Sequence, residues 1–322
     1  MINQNKKVRI RSFFIFVLII LFVFSLSCKE EDKTSGDVKL NYHNKLIYTS
    51  MEPYRFIIDN LVPQEYTVKS LLTSGSDPHT FDFTPQNIRD LSEANLYFLS
   101  QIPFEKILID KVISLNKSLK VFDLTYGIEL IYNSEGTHTT NDPAQENIEL
   151  LEPDIHLWLS PKNVRKISEN AYTALCNFFP EDKERFYSKF TVFKEKLDNL
   201  DSKFNKTTML IKQKLSLPDS KKIPILVYHP FLTYFARDYG FNQVSVEIDG
   251  KVPGGKSMLR LIDTIKAEKV KFIIVQPELP LQDIQALVEN TGIKVFTLKI
   301  IDYDLFQIYS NLNDCLLDGY FK

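Results

Sequence analysis

Two runs of alternating strand and helix patterns, separated by one long helical segment, limit the fold of this chain more than any other feature. The strand-like runs of the first half are 46–50, 66–72, 96–100 and 120–124. Those of the second half are 224–229, 243–247, 271–276 and 294–298. Such alternation predicts parallel sheets covered by helices on both faces. We therefore predict an α/β protein of two lobes, each with a roughly four-stranded parallel sheet and flanking helices.

The segment between the halves, 181–215, contains neither glycine nor proline. Its large apolar residues recur at helical spacing, which places them on one face of a helix. They are Phe186, Phe190, Phe193, Leu197, Leu200 and Phe204. A dimeric coiled coil is the alternative, but the stripe is short and its aromatic rings are bulky for a narrow seam. The pattern favours a monomer in which one long backbone helix joins the two lobes.

The N-terminus has the layout of an export signal, with basic residues before an apolar run that ends at Cys28. The apolar run is shorter than the roughly 20 residues that a membrane-spanning helix needs. The end of the run resembles a lipoprotein signal, in which Cys28 is lipidated after cleavage. An uncleaved anchor with an incidental cysteine is the alternative. We expect an exported protein, lipid-anchored on the outer side of a bacterial membrane, in the periplasm or at the cell surface.

These patterns give a predicted domain organisation. Its parts are a signal peptide (1–27), a flexible tether (28–44), a first lobe (45–180), a connecting helix (181–216) and a second lobe (217–322). Without residues 1–27 the chain has 35 basic and 41 acidic residues, a formal charge of −6. Nucleic-acid binding needs a basic face, so this balance argues against such a partner. Cys176 and Cys315 allow either one disulfide or two buried free thiols.

Three of the five histidines lie at strand ends or helix starts in the two halves. His79 lies in the loop "GSDPHTFDFTP" (75–85), His229 ends the strand "ILVYH", and His156 precedes a helix that begins near Pro161. Ligands of parallel sheets bind beyond the carboxyl ends of the strands. Neutral imidazoles suit Zn²⁺ and other first-row ions. Each histidine alone is more often structural, but together they favour one shared metal site in the cleft between the lobes.

The other two histidines lie in polar segments, and both are expected to be solvated. His43 ends the predicted tether, and His138 lies in the polar loop 133–149. The sequence also lacks the H-E-x-x-H, P-loop, dinucleotide-binding and G-x-S-x-G motifs. Three histidines and a water also form the shell of catalytic zinc, but no general base stands out beside them. The sequence therefore favours a binding protein over an enzyme.

Three segments resemble motifs of the solute-binding proteins of zinc/manganese ABC transporters. They are "GSDPHTFDFTPQNIRDLSEANLYF" (75–98), "DIHLWLSPKNV" (154–164) and "ILVYHPFLTYFARDYGF" (225–241). They occur in that family's order, within similarity over about residues 45–320. The resemblance implies one metal ion between two lobes, with His79, His156 and His229 at the ligand positions. A histidine rather than a glutamate at the third position resembles the zinc-preferring members.

The chain departs from that family's pattern at the fourth ligand. Lys299 occupies the position of the family's aspartate, and Gln276 replaces a glutamate, with Glu278 two residues on. Lysine has a pKa near 10.4, so it is normally cationic and a poor ligand for a dication. We predict that Asp302 or a water molecule completes the site.

Two functions follow from these observations. The first is a metal-binding lipoprotein that captures zinc, or less favourably manganese, for an ABC permease. The second is a surface lipoprotein of the same fold with a degraded metal site, acting as an adhesin or binding another ligand. Lys299 and Gln276 favour the second, because they replace acidic residues of the family's metal site. The same fold can serve this other function, because a fold does not by itself fix a function.

Overall fold

The protein is described by a computed structural model that covers residues 45–132, 153–247, 253–279 and 282–322. The predicted signal peptide, the predicted tether and the predicted lipidation site Cys28 lie outside these residues, as do His43 and His138. Within the described ranges, no helix combines the length and the apolar character needed to cross a bilayer.

The described residues form two parallel four-stranded sheets with flanking helices. The strands are β1 (Leu46–Met51), β2 (Thr67–Leu72), β3 (Leu96–Leu99), β4 (Lys120–Asp123), β5 (Ile223–Val227), β6 (Phe241–Ser245), β7 (Phe272–Val275) and β8 (Lys294–Thr297). The helices are α1 (Glu52–Asp59), α2 (Pro85–Ser92), α3 (Pro103–Leu115), α4 (Pro161–Phe178), α5 (Lys183–Lys214), α6 (Thr233–Tyr239), α7 (Gly255–Ala267), α8 (Gln282–Thr291) and α9 (Leu305–Phe321). The predicted fold class is confirmed. We call β1–β4 with α1–α4 the first lobe and β5–β8 with α6–α9 the second lobe; the exact lobe boundaries stay a prediction.

Both sheets have the same strand order, which creates one crevice in each lobe. The orders are β2-β1-β3-β4 and β6-β5-β7-β8, and all neighbouring strands are parallel. The strand order reverses between β1 and β3 in the first sheet and between β5 and β7 in the second, so the connections from the two strands of each pair run in opposite directions. Ligands of open α/β sheets bind at the carboxyl ends of such strand pairs. The loop that carries His229 begins at such an end, after β5, and the loop that carries His79 begins after β2, the neighbour of β1.

The central strands are buried along their whole length, as expected for sheets covered on both faces. One predicted boundary differs because of a glycine. Gly240 ends α6 with a φ of 73°, a left-handed conformation that favours glycine at the C-terminus of a helix. The chain therefore enters β6 at Phe241, two residues earlier than the sequence pattern predicts.

The long connecting helix is confirmed as α5, which has 32 residues. Phe186, Phe193, Leu197 and Phe204 are buried along one face. At one end Phe186 packs edge-on against Tyr66 of the first lobe, with ring centroids 5.5 Å apart. Further along, Phe204 packs against Phe235 of the second lobe at 4.9 Å. Phe190 and Leu200 of the predicted stripe are only half-buried, so the helix fully buries four of the six predicted residues.

Both cysteines in the described residues are free thiols. Cys315 is buried in α9, and burial raises the pKa of its thiol to about 11. The thiolate is the reactive form of cysteine, so Cys315 is an inert packing residue at neutral pH. Of the two possibilities that the sequence leaves open, the structure shows free thiols rather than a disulfide.

Close packing of α9 on the second sheet depends on Gly319. A Cβ atom at this position would lie 2.2 Å from Cδ1 of Phe272, a ring that is only 1% exposed. Alanine usually stabilises a helix interior relative to glycine, but overpacking a core costs roughly 1–3 kcal/mol. We expect Gly319→Ala to lower the free energy of unfolding in a denaturant titration. The matched control is Gly255→Ala in α7, where a Cβ would meet open space. A Gly319→Ala protein as stable as the control would contradict this packing.

Candidate metal centre

The loop after β2 presents His79 through a local turn. The Asp77 carboxylate accepts a hydrogen bond from the His79 backbone N–H at 2.9 Å and another from the Thr80 hydroxyl at 3.1 Å. Thr84 then caps α2, and Pro85 occupies the first helical position. Both residues suit a helix start. The chain therefore leaves β2, turns at Asp77 and then enters α2, which places His79 at the cleft.

His156 is held in the floor of the cleft by its own segment. Oδ1 of Asp154 accepts a hydrogen bond from the His156 backbone N–H at 2.8 Å and lies 3.0 Å from the ring atom Nδ1. The His156 residue is 4% exposed. The ring of Trp158, the single tryptophan of the chain, packs beside it with centroids 5.3 Å apart. His156 is thus fixed on two sides before any ligand binds.

His229 enters the cleft from the second lobe. Its Nδ1 lies 2.6 Å from Oε2 of Glu247, which follows β6. Its Nε2 is buried and has no hydrogen-bond partner among the described residues. Both His156 and His229 therefore have a carboxylate at Nδ1. A carboxylate at one ring nitrogen leaves the other nitrogen free to bind a metal.

The three imidazoles converge although they come from distant segments. Their ring centroids are 5.7 Å apart for His79 and His156, and 5.1 Å apart for each of the other two pairs. One ligand nitrogen from each ring can be chosen so that all three lie within 4.8 Å of one another. The structure therefore brings together the three histidines that the sequence selects, two from the first lobe and one from the second.

The electrostatics of the cluster favour neutral rings on two of these histidines. Burial lowers the pKa of His79, and the nearby His229 lowers it further. Burial also lowers the pKa of His229, with His156 adding to the effect and Glu247 opposing it. For Asp154, burial tends to raise the pKa, but His156 outweighs it and the pKa falls. Neutral imidazoles beside ionised carboxylates are the forms that bind a divalent ion.

The predicted fourth ligand, Asp302, does not join this cluster. Its carboxylate lies 2.7 Å from the Lys299 ammonium, and both side chains are 40% or more exposed. This hydrogen bond lowers the pKa of Asp302. The two residues that separate Lys299 and Asp302 in the sequence are also held in place. The Ile300 carbonyl accepts a hydrogen bond from the Trp158 indole N–H at 2.8 Å, and the Ile301 carbonyl accepts one from the Ser74 hydroxyl at 3.2 Å. Asp302 as a metal ligand stays a prediction.

The histidines open onto a cavity of about 750 Å³ between the lobes. The polar and acidic residues that line this cavity include Asp77, Ser245, Glu247, Gln276 and Glu278.

The carboxylates beside the histidines, Asp154 and Glu247, were not predicted from the sequence. The position of Asp154 two residues before His156 could have indicated its role. No local pattern indicates the role of Glu247, because that role depends on the pairing of β6 with β5.

A family model described as "Zinc-uptake complex component A periplasmic" (ZnuA) matches residues 47–304. The chain belongs to this family. The members of this family are extracytoplasmic solute-binding proteins of transport systems and not enzymes, and they bind metal ions.

Individual relatives agree with this membership. The chain is 27% identical over 293 residues to a putative metal-binding protein of Chlamydia trachomatis, covering 90% of this chain and 95% of the relative. It is 23% identical to the zinc-binding protein AdcA of Streptococcus pyogenes over 89% of this chain and 55% of AdcA. A crystal structure of ZnuA shares the fold with a TM-score of 0.72 at 22% identity, covering 86% of this chain and 99% of that one.

Proposed function

We propose that this protein captures one Zn²⁺ ion as cargo through His79, His156 and His229 and delivers it to an ABC permease. The observation that carries the proposal is the convergence of three imidazoles from both lobes, with a ligand nitrogen of each within 4.8 Å of the others. The buried Nε2 of His229, which has no partner in the part of the chain that the structure describes, supports it. A buried polar atom without a partner is costly, and a metal ion would supply that partner.

The donor set favours zinc over manganese. All three clustered donors are imidazole nitrogens, which suit zinc, whereas manganese prefers carboxylate, carbonyl and water oxygens. Three protein ligands leave a fourth position of a tetrahedral site for another group. Water or Asp302 would fill it; for Asp302 the Lys299 pair has to open first.

Export and anchoring belong to the same proposal. Residues 1–27 act as the signal peptide, and a lipid on Cys28 holds the mature protein at the outer face of the membrane. The segment 28–44 is the tether that gives the lobes access to the permease. These steps rest on the sequence pattern alone.

Removing a carboxylate partner of a histidine should weaken zinc binding without abolishing it. Asp154→Asn should weaken zinc binding about 10- to 100-fold, the usual effect of losing a carboxylate that orients a metal-binding histidine. Fluorescence of Trp158, whose ring lies 5.3 Å from that of His156, gives the titration signal. Asp263→Asn on the exposed face of α7 makes the same chemical change away from the site. Equal affinities of the two variants would show that Asp154 does not orient His156.

The function itself is tested by elemental analysis of protein purified without added metal and without a histidine tag. We expect close to one zinc per chain. Manganese in place of zinc would overturn the choice of cargo. Absence of any divalent metal, together with failure of added zinc to bind, would favour a surface lipoprotein whose metal site is degraded.

A further inference from the structure

The cavity at the three histidines is much larger than a single ion requires. It is a partly open cleft of about 750 Å³, whereas one water molecule occupies roughly 30 Å³ of liquid. Sites for small organic ligands span roughly 300–1,000 Å³ and are lined by a few placed polar groups. We infer that the zinc is captured here together with a small amino-acid ligand, such as free histidine, as a ternary complex. This inference rests on the proposed function.

The coordination shell leaves room for such a partner. In the described residues, the metal-binding group consists of His79, His156 and His229 and includes no carboxylate or thiolate. Asp302 is engaged by Lys299. An ion on three imidazoles keeps an open position, which a ligand from solution can occupy.

Uncommitted polar side chains line the same cavity. Ser245 and Gln276 are half-buried there, and neither side chain makes a hydrogen bond within the described ranges. The neighbouring Gln243 is different, because its amide is engaged by the Leu232 backbone at 2.6 Å and the Thr233 hydroxyl at 3.0 Å. Ser245 and Gln276 therefore offer donors and acceptors to the polar groups of a bound organic molecule.

The charges around the cavity select the class of the added ligand. Its charged lining residues, among those described, are the acids Asp77, Glu247 and Glu278, and none is a lysine or arginine. Asp77 is engaged in its turn and Glu247 by His229, whereas exposed Glu278 makes no ion pair with another described residue. A polycarboxylate such as citrate would be repelled. Free histidine has no net charge, its imidazole provides a nitrogen donor, and its ammonium group can pair with Glu278.

Equilibrium dialysis of the metal-stripped protein with radiolabelled L-histidine tests this inference. With zinc present we expect about one labelled histidine per chain, and without zinc only background. Glu278→Gln should raise the histidine concentration that half-saturates the zinc-loaded protein by about fivefold, as for the loss of one exposed ion pair. Glu268→Gln, exposed at the end of α7, is the matched control and should leave that concentration unchanged. Labelled citrate should stay at background.

The outcomes separate the two levels of the proposal. Zinc retained without histidine would overturn the ternary complex and leave zinc capture standing. Histidine retained equally without zinc, or citrate retained with zinc, would also overturn it. Failure to retain zinc under any condition would remove the proposed function itself.

Discussion

Replacing His156 by alanine should abolish most of the thermal stabilisation that Zn²⁺ gives the metal-stripped protein. An ion that binds only the folded state stabilises it by RT ln(1 + [L]/Kd), about 2.7 kcal/mol at a hundredfold excess over Kd. His156 is the most buried of the three rings, and its removal leaves the first lobe with His79 alone. Scanning calorimetry with and without zinc measures the effect. His43→Ala, in the predicted tether, is the control and should keep the full stabilisation.

The same measurement should depend on pH in a defined direction. A protonated imidazole cannot bind metal, so zinc stabilisation should fall as the pH drops. The pKa values of His79 and His229 are lowered from 6.5 mainly by burial, so the loss should begin below pH 6.5 rather than at it. The unfolded chain then binds more protons than the folded one, so the metal-free protein should also lose stability below this pH. Zinc stabilisation that survives unchanged at pH 5 would argue against imidazole ligands.

Lys194→Pro should strongly destabilise the protein, because it breaks the helix that joins the lobes. Lys194 is only half-buried and lies within α5, between the buried Phe193 and Leu197. Proline removes one helical hydrogen bond and clashes with the preceding turn, at a cost of about 3 kcal/mol or more. Stabilities of ordinary domains are only about 5–15 kcal/mol. Thermal unfolding followed by circular dichroism should show a clear fall in Tm.

Lys194→Ala is the control for this change, because it removes the charge and most of the side chain but keeps the helix. Its Tm should stay close to that of the wild type, since alanine is the best helix former. If the proline variant melted together with this control, α5 would not be one continuous helix.

The elements of the fold were predictable because local patterns determine them. The strand–helix alternation predicted both sheets, and the aromatic spacing of α5 predicted which face is buried. The positions of His79 and His229 were predictable, because each histidine follows a strand and ligands of parallel sheets bind beyond the carboxyl ends of the strands. These inferences need only the period of the sequence and the topology of the sheet.

The partners of the site residues were not predictable, because they depend on contacts between remote segments. The path of the loop after β8 is set by hydrogen bonds from Trp158 to Ile300 and from Ser74 to Ile301, which join residues 142 and 227 positions apart. That path lets Asp302 pair with Lys299, only three residues away. Likewise, Glu247 reaches His229 only because β6 pairs with β5.

Calorimetric titration of the metal-stripped protein with Zn²⁺ shows directly whether the three histidines form a metal centre. We predict one zinc ion per chain, and loss of most of the binding heat in each of His79→Ala, His156→Ala and His229→Ala. Asp302→Ala should decide the fourth position, since it weakens binding only if the Lys299 pair opens to release its carboxylate. A wild-type protein that binds no zinc, or binds it equally well without the three histidines, would contradict a metal centre between the lobes.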